Sequence, residues 1–322
     1  METLHLVDSA ARGAVAQTPP FDLDRDTLPE FRSAVLAAYA QLAPPGPTPP
    51  EVRTVPGPAG APGVRVLVYQ PAATRPAGAK APAVLYLHGG GFVVGTPDMM
   101  DAFSRALADE HGAVVVAVDY RLAPETPFPG PVEDCYAALT WLVAQADALG
   151  VDASRIAVVG HSAGGGLAAA LALLARDRGV YALAGQVLIY PMLDARTGTP
   201  AAPVDNPTTG NFQWTRPMNR FGWGALGGDA GPDAIPPERR GHYSPALAAD
   251  VTRLSPAFIA VGSVDLFLEE SVAYALRLSR AGVPVELHVY DGGVHGFDLF
   301  PGPLREQLAA DVRAAMRRML AT

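Results

Sequence analysis

Residues 155–166 read RIAVVGHSAGGG, a mainly apolar run that leads into a serine bracketed by glycines. Residues 155–159 have the composition of a buried strand, and residues 163–177 have the pattern of a helix. Ser162 is therefore predicted to lie in the turn between them, within the form G-x-S-x-G. Side chains two residues before or after Ser162 would crowd so sharp a turn. The stretch predicts that Ser162 is a nucleophile held clear of the backbone.

A serine hydroxyl is a weak nucleophile until a neighbouring base takes its proton. The chain has seven histidines, and His295 is the one in a glycine-rich loop after the last predicted strand, DGGVHG at 291–296. This loop belongs to the edge of the sheet where the strands end. We therefore predict that His295 is the base.

The histidine needs an acidic partner that orients its ring and stabilises its charge. Asp265 follows the predicted strand 257–261 in the loop GSVD at 262–265. The order Ser162, Asp265, His295 along the chain is the order of α/β-hydrolases. Glu269 and Asp291 are rivals, although Glu269 falls in the first turn of the next predicted helix, where the helix dipole favours an acidic residue. We predict Asp265 as the acid.

A second glycine-rich motif, HGGGF at 88–92, follows the predicted strand 83–87 directly. Three glycines after a strand let backbone N–H groups turn toward a ligand. Such donors stabilise the oxyanion that forms when a nucleophile attacks an ester carbonyl. In lipases and esterases this loop works together with the N–H of the residue after the nucleophile, which is Ala163 here.

Strand-like and helix-like runs alternate from residue 64 onward. The pattern predicts strands at 64–69, 83–87, 113–119, 155–159, 186–190, 257–261 and 285–290, and helices at 99–110, 132–149, 163–177, 269–281 and 304–320. Strands this apolar, separated by helices, are typical of a mainly parallel sheet covered on both faces. The predicted fold class is α/β, with ligands bound at the edge formed by the strand C-terminal ends.

Residues 193–254 interrupt this alternation, and an insertion of this length in a compact domain is usually functional. We predict a mainly helical cap made of residues 1–50 and 193–254, and a catalytic domain made of residues 51–192 and 255–322. The first piece contains a helical pattern at 28–42 and a proline-rich stretch at 44–50. Bulky residues of the insertion are candidates for closing the pocket: Phe212, Trp214, Phe221 and Trp223. Among pocket residues, Phe92 and Trp214 are predicted to contact substrate.

Composition excludes several other classes of protein. Hydrophobic residues make up 49% of the 322 residues, enough for a large core, and the net charge of −8 argues against a nucleic-acid or anionic-membrane partner. Cys135 is the single cysteine and lies in an apolar helical pattern, so we predict a buried thiol and neither a disulfide nor a metal site. No signal peptide or membrane span is recognised, and a cytoplasmic protein is expected. The sequence leaves the oligomeric state open, a homodimer included.

Gly164, Gly166 and Ala169 loosely match the G-x-G-x-x-A pattern of dinucleotide-binding folds. Ser162 and Ala163, however, displace these glycines from the end of the strand. No acidic residue ends the following strand near Tyr190, where a ribose partner belongs. The match therefore predicts no nucleotide, and no cofactor is expected.

Taken together, the motifs resemble those of the hormone-sensitive-lipase family of esterases, the bacterial class IV group. The matching segments are HGGGF at 88–92, DYRLAPE at 119–125, GHSAGG at 160–165, Tyr190-Pro191, Asp265 and HGF at 295–297. The resemblance spans roughly residues 60–320. It implies a capped α/β-hydrolase fold, hydrolysis of short to medium acyl esters without a cofactor, and Gly90, Gly91 and Ala163 as oxyanion donors. It also implies that the 119–125 segment supports the site and does no chemistry.

The chain departs from that family at three positions. His161 stands where an acidic residue often precedes the serine, Gly166 where asparagine is common, and Leu266 where proline often follows the acid. None removes a predicted catalytic group. Two alternatives stay open from sequence: an amidase or deacetylase of a specific metabolite with the same triad, and a non-catalytic ligand receptor on this fold. The intact triad argues against the receptor, whereas fold does not determine substrate.

Overall fold

A computed structural model describes residues 3–18, 21–42, 46, 48–76 and 78–321. Its strands are β1 (Glu51–Val55), β2 (Val64–Tyr69), β3 (Ala81–Leu87), β4 (Val114–Asp119), β5 (Val151–His161), β6 (Gly185–Ile189), β7 (Ala257–Gly262) and β8 (Val285–Tyr290). Its helices are α1 (Ser9–Gln17), α2 (Leu28–Leu42), α3 (Asp101–His111), α4 (Gly130–Ala144), α5 (Ala146–Leu149), α6 (Ala163–Arg178), α7 (Arg216–Gly227), α8 (Arg240–Tyr243), α9 (Leu268–Arg280) and α10 (Pro303–Leu320).

In the described residues the strands form one eight-stranded sheet in the order β1-β2-β4-β3-β5-β6-β7-β8. The pairs β1–β2 and β2–β4 are antiparallel, and every pair from β4 to β8 is parallel. The fold is therefore the α/β-hydrolase fold, with a mostly parallel sheet flanked by helices, and the predicted fold class is confirmed.

The central strands are buried on both faces because almost every residue in them is apolar. All residues of β3, β6 and β7 are buried, as is the β5 segment 156–161. Helix α6 is buried along nearly its whole length, which matches its alanine- and leucine-rich sequence. Cys135 is fully buried in α4, as predicted. The β5–α6 junction, and Ser162 with it, is therefore buried in the core.

Besides helix α1, which was not predicted, the structure differs from the sequence-based prediction at two elements. Strand β1 was not predicted, because its five residues are mostly exposed and lack an apolar alternation; pairing with β2 creates it. The helix predicted at 132–149 is two helices, because Gln145 leaves the helical conformation and Gly150 ends α5 in the left-handed region. Neither difference moves a predicted site residue.

The insertion at 193–254 contains helices α7 and α8 and three short 3-10 turns, and all of its residues are described. It holds no strand, as predicted. Helix α2 has the predicted bounds, while residues 44, 45 and 47 of the proline-rich stretch lie outside the described part. The division into cap and catalytic domain stays a prediction. No helix among the described residues is both long enough and apolar enough to cross a membrane.

Candidate active site

Ser162 lies at the junction of β5 and α6 in a conformation that few non-glycine residues adopt, with φ 54° and ψ −119°. The flanking glycines explain how the chain accommodates this turn. A Cβ atom on Gly160 would lie 2.1 Å from the carbonyl oxygen of Gly164, and one on Gly164 would lie 2.1 Å from that of Leu87. The backbone thus fits only with glycine at both positions, which accounts for the spacing in the sequence.

The structure brings the three predicted triad residues into one hydrogen-bonded chain. Nε2 of His295 lies 2.9 Å from Oγ of Ser162, and its Nδ1 lies 2.9 Å from Oδ2 of Asp265. A carboxylate accepts, so Nδ1 carries the proton and Nε2 is free to accept the serine proton. The side chain of Asp265 is fully buried, and its other oxygen accepts from the backbone N–H of Phe267.

The rival acids lie elsewhere. Glu269 is in the first turn of α9 and accepts a hydrogen bond from the side chain of Asn206. Asp291 is exposed in the loop after β8. In the described part of the chain, Asp265 is the carboxylate within 4 Å of His295. Two aromatic rings confine the imidazole, since Tyr190 and Phe267 each present an edge-on contact with centroids at 4.9 Å and 5.0 Å.

The glycine loop after β3 lies against the β5–α6 turn. Gly90 and Gly91 have φ values of +124° and +58°, which glycine adopts readily. Two backbone N–H groups, those of Val93 and Val94, donate to the carbonyl of Gly90. Ala163 is the first residue of α6, a position at which the N–H has no partner inside the helix. The loop and the helix start can thus present N–H donors to one acceptor near Ser162.

His88 and Tyr120 hold this loop in place through contacts with its backbone and with each other. Their rings stack with centroids 4.2 Å apart, and the Tyr120 hydroxyl donates to the carbonyl of His88 over 2.6 Å. His88 also bonds the carbonyl of Gly89 through Nδ1, while burial lowers the pKa of His88 to about 4. A neutral His88 can therefore donate from Nδ1 at neutral pH. Tyr120 belongs to the segment 119–125 that the family resemblance assigns to support.

Of the two predicted pocket residues, Trp214 lies at the site. A Cβ atom on Gly91 would lie 2.1 Å from the Trp214 ring, and the ring centroid is 6.4 Å from that of His295. Asn219 of α7 accepts a hydrogen bond from the indole N–H over 3.1 Å. Phe92 is only 1% exposed and packs on Trp223, so its assignment as a substrate contact stays a prediction.

Tyr190 and Asp298 also lie beside the site, although the sequence predicts no role for either. The Tyr190 hydroxyl donates to Asp298 over 2.7 Å, and its ring lies between His295 and His161, with centroids 4.9 Å and 5.7 Å away. Their positions in the sequence could have pointed to the site, because Tyr190 belongs to the Tyr-Pro pair and Asp298 directly follows HGF at 295–297. His161 was noted only as a departure from the family, and Tyr86 bonds its Nδ1 over 3.0 Å.

Burial of His161 predicts a change in how stability depends on pH. Desolvation lowers the pKa of His161 from 6.5 to about 4. Between pH 6.5 and pH 4 this histidine is therefore protonated in the unfolded chain and neutral in the native protein. Stability therefore falls as pH drops, by about 2 kcal/mol between pH 7 and pH 5 for this residue. His161→Gln should remove that loss. Urea unfolding of both proteins at the two pH values measures it.

His88 and Glu270 are buried in both proteins, so their effects on stability cancel in the comparison and the difference reports on His161. Burial raises the pKa of Glu270, so its effect on the pH dependence of stability is opposite in sign to that of the histidines. Equal pH dependence in the variant and the unmodified protein would contradict the prediction.

The arrangement can transfer a proton from Ser162 to His295 while backbone N–H groups receive a developing oxyanion. In the residues that the structure describes, no group of three or more His, Cys, Asp or Glu side chains is placed to hold a metal ion. The chemistry that these side chains offer by themselves is acyl transfer through a serine.

Comparisons with known proteins agree with this chemistry. A family model described as alpha/beta hydrolase fold matches residues 84–299. The chain is 39% identical over 262 residues to Esterase LipI of Mycobacterium tuberculosis, covering 80% of this chain and 78% of LipI. It is 41% identical over 234 residues to Ethyl acetate hydrolase of Pseudomonas putida, covering 72% and 70%. A solved structure titled Bacterial Heroin Esterase is similar with a TM-score of 0.87 and 39% identity, covering 99% of each chain.

Proposed function

The chain belongs to the hormone-sensitive-lipase-like α/β-hydrolases and is a serine carboxylester hydrolase, and we propose that Ser162, His295 and Asp265 perform its reaction. One observation carries the assignment of residues. His295 lies 2.9 Å from both the Ser162 hydroxyl and the Asp265 carboxylate, one contact on each ring nitrogen.

In the first half of the proposed reaction, Oγ of Ser162 attacks the ester carbonyl carbon while Nε2 of His295 takes the serine proton. The carbonyl oxygen becomes an oxyanion and accepts hydrogen bonds from the N–H groups of Gly90, Gly91 and Ala163. The bond to the alcohol oxygen then breaks. His295 returns its proton to that oxygen, so the alcohol leaves neutral and the acyl group stays on Ser162.

In the second half, water gives a proton to His295 and attacks the acyl carbon. The second oxyanion collapses, the bond to Oγ breaks, and the proton returns from His295 to Ser162. Asp265 stays ionised and holds the imidazolium through both halves. The products are one carboxylic acid and one alcohol, and no cofactor takes part.

Ester and amide substrates separate this proposal from the amidase alternative. We expect p-nitrophenyl butyrate to be hydrolysed with a kcat/KM far above that of butyryl-p-nitroanilide, because the anilide has the same acyl group and a poorer leaving group. Acetylated sugars and amines in the same panel test the deacetylase alternative. Faster turnover of the anilide would favour the amidase, and no turnover of any compound by folded protein would favour the receptor.

We also propose a preference for short acyl chains, which the aromatic residues of the insertion support. The Trp214 ring occupies the space beside Gly91, and Gly222 of α7 lies so close that its Cβ would be 2.6 Å from the Gly91 carbonyl. The ring of Trp223, in contrast, packs on the rings of Phe92 and Tyr243. Of these two tryptophans, Trp214 is therefore the one that lies beside the glycine loop and can limit the pocket. A relative's name, Ethyl acetate hydrolase, fits a short acyl group.

Trp214→Ala should move the optimum of kcat/KM toward longer chains. Each methylene that the enlarged pocket buries contributes about 0.8 kcal/mol, or about four-fold in kcat/KM. The measurement is kcat/KM for p-nitrophenyl esters from acetate to palmitate. Trp141→Ala, which truncates a half-buried tryptophan of α4, is the matched control and should leave the chain-length profile unchanged. A long-chain optimum in the unmodified protein would refute the restricted pocket.

A further inference from the structure

A cavity lies between α3 and α10, and no residue of the proposed triad lines it. Its volume is about 360 Å³, within the range of small-molecule sites. The residues that line it do not include the triad or the glycine loop. Its walls are mainly apolar and are formed by Met99, Phe103, Leu107, Leu308 and Val312. The cavity is therefore not explained by the reaction described above.

Small side chains line the opening of this cavity. Ala102 and Ala106 of α3 and Ala309 of α10 line it and are exposed, so they form its mouth. Larger side chains at these helical positions would close it. Glu110 and Arg313 also line the cavity, and they neutralise each other through two hydrogen bonds of 2.7 Å.

Three polar side chains line the cavity beside the β5–α6 turn: Tyr39, His161 and Asp298. The His161 side chain is 5% exposed, and its Nε2 has no hydrogen-bond partner among the described residues. That atom lies 3.7 Å from Oδ2 of Asp298, on the side of the ring opposite the bond to Tyr86. The polar groups thus face a common point at which a ligand group can lie.

The charge of Asp298 is not balanced by a cation. One oxygen accepts from Tyr190, and across the described chain no lysine or arginine lies within 4 Å of the other. His161 does not supply the charge, because burial lowers its pKa to about 4 and leaves it neutral at pH 7. Arg305 lines the cavity but is exposed and makes no ion pair with Asp298. A carboxylate whose side chain is 17% exposed therefore borders an apolar space without a cationic partner.

We propose that this cavity binds a small hydrophobic amine, with its ammonium group at Asp298 and its apolar part between α3 and α10. A charge-assisted hydrogen bond to Asp298 favours an ammonium over a neutral alcohol and disfavours a carboxylate. The rings of Tyr39 and Phe103 line the same region, and aromatic rings attract cations. The apolar walls bind the hydrocarbon part through burial.

The proposed amine site is separate from the ester site and goes beyond the proposed function. His161 and Tyr190 lie between them: His161 lines the cavity, and Tyr190 contacts both His161 and the ring of His295. Binding of the amine requires neither the nucleophile nor the ester. It can therefore be tested on the Ser162→Ala variant, where hydrolysis plays no part in the result.

Isothermal titration calorimetry on full-length Ser162→Ala protein at pH 7 tests the site with three probes of equal length: hexylamine, hexan-1-ol and hexanoate. We expect hexylamine to bind about ten-fold or more tightly than either of the others, since a hydrogen bond to a charged group is stronger than a neutral one. Asp298→Asn keeps an acceptor for Tyr190 and removes the charge. It should raise the Kd of hexylamine about ten-fold and leave that of hexanol unchanged.

Ala309→Leu, at an exposed helical position, should fill the cavity mouth and weaken every probe that binds. Ala310→Leu on the same helix is also exposed and does not line the cavity, so it should change nothing. If Asp298→Asn fails to fold, the order of affinities among the three probes and the comparison of Ala309→Leu with Ala310→Leu still test the proposal. The proposal is overturned if hexylamine does not bind, if hexanoate binds as tightly, or if Ala309→Leu leaves hexylamine binding intact.

Discussion

Ser162→Ala is expected to lower kcat for ester hydrolysis by about a million-fold. The variant keeps the fold, because alanine lacks only the hydroxyl, and the backbone bonds of residue 162 to Ile189 and Met192 remain. What it loses is the atom that forms the acyl-enzyme. His295→Ala should cost about as much, since the hydroxyl is a poor nucleophile without its base.

The double variant gives the sharper measurement. Because the two residues act as a unit, Ser162→Ala/His295→Ala should be scarcely slower than either single variant. Rates for p-nitrophenyl acetate, with circular dichroism as the control for folding, provide the comparison. A serine-directed fluorophosphonate should also label the unmodified protein at Ser162, as read by mass spectrometry. Folded Ser162→Ala protein with undiminished activity would reject the proposed nucleophile.

Asp265→Asn is expected to lower kcat by about 10⁴-fold while leaving KM close to its original value. An amide in this position can present N–H to Nδ1 of His295. The imidazole then carries its proton on Nε2 and can no longer accept the proton of Ser162. The loss should appear in kcat because the carboxylate stabilises the imidazolium that forms only during the reaction.

Asp291→Asn is the matched control, since Asp291 is the rival that precedes His295 in the same loop and is exposed. It should keep nearly full activity. Glu269→Gln, in the first turn of α9, tests the other rival in the same way. A large loss of activity in Asp291→Asn together with a small loss in Asp265→Asn would show that the proposal places the acid in the wrong loop.

Local patterns in the sequence were enough to predict the fold class and the three triad candidates. Apolar runs of strand length, separated by helical periods, have few stable arrangements other than a covered parallel sheet. The turn at Ser162 is a local feature too, because the glycines that allow it lie within two residues. His295 and Asp265 could be predicted because parallel strands end at one edge, so loops that follow different strands meet there.

Other features depended on contacts between residues far apart in the chain, for which local sequence carries no signal. Strand β1 exists because β2 offers it an edge, and its own residues are mostly exposed. Trp214 was one of four candidate aromatics in the insertion, and only packing placed its ring against Gly91. The pairing of Tyr190 with Asp298 and the cavity between α3 and α10 likewise arise from docking of helices onto the sheet.

The sequence by itself thus determined the class of fold and the choice of Ser162 as the candidate nucleophile, because strand periodicity, a glycine-bracketed turn and loop order are properties of short segments. The tertiary structure alone decided the two contacts of 2.9 Å at His295, the ring beside the glycine loop and the uncompensated carboxylate of Asp298. Distances of this kind depend on how side chains pack once the sheet and helices are assembled. Close packing makes each position depend on many distant neighbours at once.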